Sequence, residues 1–442
     1  VYPPLKRPWT PAGADAWHAE AADALDRLDV SRVAAEIERL AASQQSRVDR
    51  ACVNLNAAAN LMSPRGRALL AGTLGCRPSL GYPGDKYETG LAGAERIEVI
   101  AVELARRLFH ATFAELRVLS GSLANLYAFM ALAAPGDHVL VIPESAGGHA
   151  THHAHGAAGL RGLVVHDIPF NAGTMNVDLD GLAARAREVR PRVIAIGASL
   201  VLFPYDLAAI RRIADTVEAK IVFDAAHVAG LIAGGMFPQP LDHGADVLTM
   251  STYKTFGGPP GGLVLTNDPA IAERLDRIAY PGLTANFDMG RVAALAVAEA
   301  DLLAFGAAYA RQCVDNAQAL AAALHAEGLA VVARCGEYTR SHHVAVDVRS
   351  LGGGTQVSRR LEAVNILTTG IPLPLEPIPG DYAGLRLGTQ EVTRLGMRSA
   401  EMAQIAQWMT RCLVHGEPAS AVRREVAALR ETFQTVGYCA SV

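Results

Sequence analysis

The stretch DVLTMSTYKTFGGPPGGLVLTN, residues 246–267, decides the fold. Two apolar runs bracket Lys254, and a glycine-proline loop follows the lysine. Short apolar, β-branched runs closed by Gly and Pro read as strands, so Lys254 lies just beyond the end of one. Working backwards, similar runs stand at 138–143 (HVLVIP), 162–168 (GLVVHDI), 192–198 (RVIAIGA) and 220–226 (KIVFDAA), with helical stretches between them. Strands alternating with helices require right-handed crossovers and a mostly parallel sheet. Such a sheet binds ligands at the carboxyl ends of its strands, which is where Lys254 falls.

Working forwards, residues 290–327 form an alanine-rich helical stretch. LAVVARC (329–335), HHVAVDV (342–348) and residues 384–388 then read as strands of a smaller α/β unit. Residues 14–49 repeat apolar positions at helical spacing, broken near Asp29 to Ser31, and predict two amphipathic helices packed outside the main sheet or against a partner. The expected organisation is a helical segment over 1–55, a large domain over 56–310 and a small C-terminal domain over 311–442.

Half of the 442 residues are apolar and the formal charge is −4, with no basic cluster, so a nucleic-acid partner is not expected. The opening VYPPLK has no basic-then-apolar leader pattern, and no uninterrupted apolar run is long enough to span a bilayer, so no membrane partner and a cytoplasmic location are expected. The six cysteines are far apart, without a CxxC pair, and read as reduced thiols. Lysine occurs only at positions 6, 86, 220 and 254, so chemistry that needs a neutralisable amine has four candidates.

Three stretches form a candidate cofactor site. LSGSLAN, residues 119–125, leaves a strand and opens a helix; its amides and the Ser120 and Ser122 hydroxyls around Gly121 suit a phosphate, although a serine N-cap with a glycine turn reads the same way. VFDAAH, residues 222–227, sets Asp224 at the end of a buried strand. A carboxylate there needs a cationic partner, such as the pyridinium nitrogen of pyridoxal 5'-phosphate, or else caps a turn. STYKTFGGPPGG, residues 251–262, offers Lys254, flanked by hydroxyls including Ser251, for imine formation.

In order and spacing these residues resemble the serine hydroxymethyltransferases and their fold-type I pyridoxal phosphate relatives. GYPGDKYETG (81–90), LSGSLAN, AGGHATH (146–152), FDAAHVAGLIAGG (223–235), the lysine segment, YPG (280–282) and GLRLGTQEVTRLGM (384–397) carry the likeness, from about residue 54 to about 412. The resemblance implies an α/β fold-type I transferase with a mostly parallel large domain and a smaller C-terminal one. It implies that Lys254 carries the cofactor as an imine, Asp224 pairs with the ring nitrogen and His149 stacks on the ring. His227 and Ser199 would stand near the ring's phenolate oxygen, and Ser120, Gly121 and Ser122 would hold the phosphate. Arg386 would grip the substrate carboxylate through paired hydrogen bonds. A homodimer or homotetramer with shared sites is implied, Tyr87 and Gly282 coming from the neighbour.

The likeness breaks where folate would bind. Leu80 occupies the position of a glutamate in the family, Ala58-Ala59-Asn60 replaces Ser-Glu-Asn, Thr369-Gly370-Ile371 replaces Asn-Lys-Asn, and Glu88 replaces a tyrosine. Tetrahydrofolate is therefore doubtful, and the expected activity is a folate-independent aldolase or transaldolase acting on the Cα–Cβ bond of small β-hydroxy amino acids such as threonine, serine or α-methylserine, with an aldehyde as co-substrate or product. Relatives that join a glycine unit to a foreign aldehyde resemble the TRSHHVAVDV and LGTQEVTRLGM stretches as well. A folate-dependent hydroxymethyltransferase is the alternative, and a transaminase or racemase the second. His149, Glu88 and a water are the candidate bases for the substrate hydroxyl. His149, His152, His153 and His155 lack companion ligands at metal spacing, and no metal is expected.

Overall fold

The structure is a computed structural model and describes residues 7–11 and 13–441; the opening VYPPLK, and the expectation read from it, lie outside the described residues. The chain divides into two compact units, residues 1–52 and 53–442. The first holds the two expected helices, α1 (Ala14–Asp26) and α2 (Val33–Gln45), with no helical residue buried. Between them the Asp29 carboxylate accepts the Ser31 amide and breaks the helical run.

In the second unit, seven strands make the main sheet: β1 (Phe113–Val118), β2 (His138–Val141), β3 (Val164–Asp167), β4 (Val193–Ile196), β5 (Lys220–Asp224), β6 (Val247–Ser251) and β7 (Gly262–Thr266). Their spatial order is β1-β7-β6-β5-β4-β2-β3. Neighbours from β3 to β6 pair in parallel, whereas β7 runs antiparallel to both β6 and β1. The reversal has a simple cause: the loop carrying Lys254 is shorter than the dozen or more residues that a parallel crossover needs.

Alternation along the strands divides the apolar side chains between two faces. Val193, Ala195, Val222, Val247 and Val264 pack on one side with Tyr127, Ala128 and Phe129 of a helix, α3 (Gly121–Leu132). Ile194, Ile196, Ile221, Phe223, Leu248, Met250, Leu263 and Leu265 pack on the other with Val292, Leu295 and Leu302 of α4 (Met289–Ala326). Among the described residues α4 is the one helix long and apolar enough by composition to cross a bilayer, but here it serves as an internal spine. Its first half lies on the main sheet, and Leu320 and Leu324 of its second half join another core with Val344, Val346, Leu385, Leu387 and Trp408. The helix therefore runs unbroken through residue 310.

The second core covers an antiparallel sheet of β8 (His343–Asp347), β9 (Thr369–Ile371) and β10 (Gly384–Gly388), in the order β8-β10-β9. The expected strand at 329–335 does not form as a full strand; Val331 makes an isolated bridge to Val346. Cys335 and Gly336 both adopt positive φ, and Arg334 bridges Glu337, so a tight turn ends the run.

Candidate active site

The carboxyl ends of β1, β2, β4, β5 and β6 lead into the segments that hold Ser120, His149, Ser199, Asp224 and Lys254. Lys254 is buried, and its Nζ stands 3.2 Å from His227 Nε2. Burial and the Arg386 charge push its ammonium down to about 8 against the pull of Asp224. An amine so depressed is available as a nucleophile near neutral pH. Asn60 fixes the local backbone by donating to the Lys254 carbonyl at 2.7 Å.

Asp224 is 7% exposed and accepts from Asn125 Nδ2 at 2.8 Å, His152 Nε2 at 3.1 Å and the Ala226 amide at 2.8 Å. Burial opposes its charge, but the His152 and Asn125 bonds outweigh burial and hold the carboxyl well below its usual range. An ionised carboxylate offers about four lone-pair positions, so three donors leave one for a cationic ring N–H. Asn125 is itself fixed, accepting from Thr249 Oγ1 at 2.7 Å and donating to Thr151 Oγ1 at 3.0 Å. In the sequence His152 stands out only in the histidine cluster weighed for a metal, and Asn125 not at all, although AGGHATH and LSGSLAN contain them.

His149 accepts the Thr151 amide at Nδ1 (3.2 Å), and the Thr151 hydroxyl stands 2.8 Å from the same nitrogen. Burial lowers its pKa to about 4. It is therefore neutral, with its proton on Nε2.

The Ser120 hydroxyl caps α3 by accepting the Leu123 amide, so both readings of this serine hold together. The amides of Gly121 and Ser122, first in the helix, have no intrahelical acceptor and point out of its positive end. Gly121 also lies against Ser251: a Cβ added there would come 2.2 Å from Ser251 Oγ. This crowding leaves a small cradle of amides and hydroxyls suited to a phosphate. A deprotonable lysine, an ionised aspartate with a free acceptor position and an anion cradle together fit pyridoxal phosphate.

Arg386, on β10, is buried; Nη1 donates to the Ser199 carbonyl at 2.6 Å and Nη2 to Thr369 Oγ1 at 3.1 Å, while Nε has no partner. No carboxylate pairs with it among the described residues, and burial pushes the guanidinium down to about 10. Ser199 thus meets Arg386 through its backbone, the hydroxyl being uncommitted.

Tyr87, Glu88 and Gly282 are not joined to this cluster within one chain. Tyr87 is 86% exposed, Gly282 is exposed after the cis Tyr280–Pro281 bond, and the Glu88 carboxylate accepts the Leu80 amide at 2.9 Å. The hairpin at 81–86, which leads into Tyr87 and Glu88, borders a separate cavity of about 660 Å³ beside β1, where Lys86 pairs with Glu98 and Arg117 with Glu115 and Asp276. Its cations are already neutralised and Lys254 does not line it. The histidines at 152, 153 and 155 turn to different partners: Asp224, the Ile142 carbonyl and Glu144. A different trio, His227, His342 and His343, brings ring nitrogens within 4.8 Å of one another, but the His227 and His343 nitrogens are taken up by Lys254, each other and Val201.

The strand order and the lysine, aspartate and anion cradle at the carboxyl edge define a fold-type I pyridoxal phosphate enzyme. A family model described as serine hydroxymethyltransferase matches residues 30–409, and the chain belongs to that family. It is 52% identical to an alpha-methylserine aldolase of Variovorax paradoxus over 417 residues, 94% of each chain. An alpha-methylserine aldolase of Ralstonia sp is 46% identical over 436 residues, 98% of this chain and 99% of that one. A serine hydroxymethyltransferase of Methanopyrus kandleri is 43% identical over 389 residues, 88% of this chain and 91% of that one.

Proposed function

We propose that this enzyme cleaves and forms the Cα–Cβ bond of α-methylserine or a closely similar β-hydroxy amino acid, releasing the hydroxymethyl carbon as formaldehyde without tetrahydrofolate. The observation that carries this reading is the extent of likeness to alpha-methylserine aldolases, 46–52% identity across at least 93% of the chain. The changes at Leu80 and at Thr369-Gly370-Ile371, in the stretches where the family's folate would bind, support it.

Pyridoxal phosphate, when bound, supplies an electron sink for the pair released as the bond breaks. Asp224 keeps a cationic ring nitrogen protonated, because its carboxylate stays ionised. Arg386 binds the amino acid's carboxylate and so fixes which Cα bond stands across the ring. Its buried, unpaired charge favours an anion strongly. His149 holds its proton at Nε2 and spends Nδ1 on Thr151, which suits a face-stacking donor more than a base. Glu88 and a water are then the groups to take the hydroxyl proton. We assign the hairpin with Tyr87 and Glu88, together with Gly282, to the site of a neighbouring subunit in a homodimer or homotetramer.

The test is aldehyde release by the purified holoenzyme from α-methylserine, serine and threonine, with and without tetrahydrofolate. Formaldehyde and alanine from α-methylserine without folate are expected. A strict folate requirement would instead favour the hydroxymethyltransferase reading, for which the 43% identical relative speaks. Accumulation of a keto acid, with no aldehyde, would refute both.

A further inference from the structure

Behind His227 stands a second imidazole that the cofactor chemistry does not use. His343 Nε2 lies 3.3 Å from His227 Nδ1, and the other nitrogen of His227 lies 3.2 Å from Lys254 Nζ. At the far end, His343 Nδ1 lies 3.1 Å from the Val201 amide and 3.3 Å from the Val201 carbonyl oxygen. Both rings are buried. Burial first, then the positive charges of Lys254 and Arg386 and the neighbouring His342, hold both imidazoles well below the ordinary histidine value. Each is therefore neutral and carries one N–H.

The backbone of Val201 decides where those protons sit. Its amide is buried and finds its acceptor in His343 Nδ1. An orphaned buried N–H is costlier than a carbonyl with an unfilled lone pair. His343 Nδ1 must then accept, so its proton rests on Nε2. That N–H points at His227 Nδ1, which must also accept. The proton of His227 is left on Nε2, the nitrogen that faces Lys254.

We infer that His343 is a positioning residue that transmits the polarity of the Val201 amide through its ring and fixes His227 as a neutral hydrogen-bond donor aimed at the Lys254 nitrogen. With the cofactor joined to that nitrogen, the same N–H would serve the anionic ring oxygen that the family resemblance puts beside His227, and would lower the pH at which the lysine-bound cofactor gives up its proton. This extension rests on the reading of Lys254 as the cofactor lysine; the tautomers themselves do not.

Two measurements test it separately. In the cofactor-free protein with ¹⁵N-labelled histidine, at about pH 9.5, above the value of about 8 for Lys254, both rings should show the Nε2–H tautomer. A proton on Nδ1 of either ring, or a charged imidazole, would overturn the proposal whatever the cofactor does. In the holoenzyme, His343→Leu removes the donor to His227, while His343→Gln keeps an amide that can accept from Val201 and donate to His227. The absorbance titration of the lysine-bound cofactor should move up by about one pH unit in the leucine variant, the size of a hydrogen bond to a charged group, and return most of the way in the glutamine variant. A leucine variant that titrates like the wild type refutes the role of His343. If that variant does not fold, the tautomers of the wild-type protein decide alone.

Discussion

Replacing Arg386 by methionine separates what the protein needs to fold from what it needs to bind. The side chain is buried with an unpartnered Nε and no carboxylate beside it. Burial pushes the guanidinium down to about 10, which at about 1.4 kcal/mol for each pH unit amounts to roughly 3 kcal/mol held against the charged form. Against this stand two hydrogen bonds from a charged donor, to the Ser199 carbonyl and Thr369 Oγ1, each contributing about 1.5 kcal/mol net. Methionine fills much of the same volume without a charge. The two effects nearly cancel, so the cofactor-free variant should unfold within about 1 kcal/mol of the wild type, a few degrees at most in Tm. Binding has no such compensation. A bidentate pair with the amino acid's carboxylate contributes about 3–5 kcal/mol, so kcat/KM should fall by about 10²- to 10⁴-fold. Thermal unfolding of the apoprotein and aldehyde release by the holoenzyme read the two arms. A variant that loses several kcal/mol of stability yet keeps its kcat/KM would show that the arginine is structural, and the reasoning would fail.

Three further outcomes are expected. In the apoprotein, the Lys254 ammonium is depressed to about 8, so the unfolded chain holds the extra proton between that value and the ordinary lysine range. The stability of wild type relative to Lys254→Met should therefore rise as pH increases from about 8 to about 10.5, as denaturant titrations at several pH values would show; a flat difference would contradict the burial of a free amine. Asn125→Ala removes a donor to Asp224 and leaves Thr249 without its acceptor, and dialysis should show cofactor retention weakened by about tenfold. Gly121→Ala forces a methyl to within 2.2 Å of Ser251 Oγ unless the cradle opens; fluorescence titration with pyridoxal phosphate should find weaker binding with little change in secondary structure, and unchanged affinity would remove Gly121 and Ser251 from the phosphate site.

The main sheet was legible because its central strands are covered on both faces, so each reads as an unbroken apolar run closed by a polar residue or glycine. KIVFDAA and DVLTMST show their ends in this way, and the ends carry Asp224 and Lys254. LAVVARC misled for the same reason. Its composition is that of a strand, but the turn at Cys335 and Gly336 stops it after one bridge, and composition does not register a turn beyond the run. The partners that set the charge state of the site left no local signal. Asn125 and His152 lie 99 and 72 residues from Asp224, and His343 lies 116 residues from His227. Only the closing of the sheet and its neighbour brings them together, so no spacing along the chain could announce them.

The distribution of the site along the chain also bears on how the enzyme is born. Ser120, His149, Asp224 and Lys254 all precede β7 in the chain, whereas Arg386 stands on β10, beyond the whole of α4. Synthesis therefore delivers the residues that fit the cofactor ahead of the arginine proposed to hold the substrate's carboxylate.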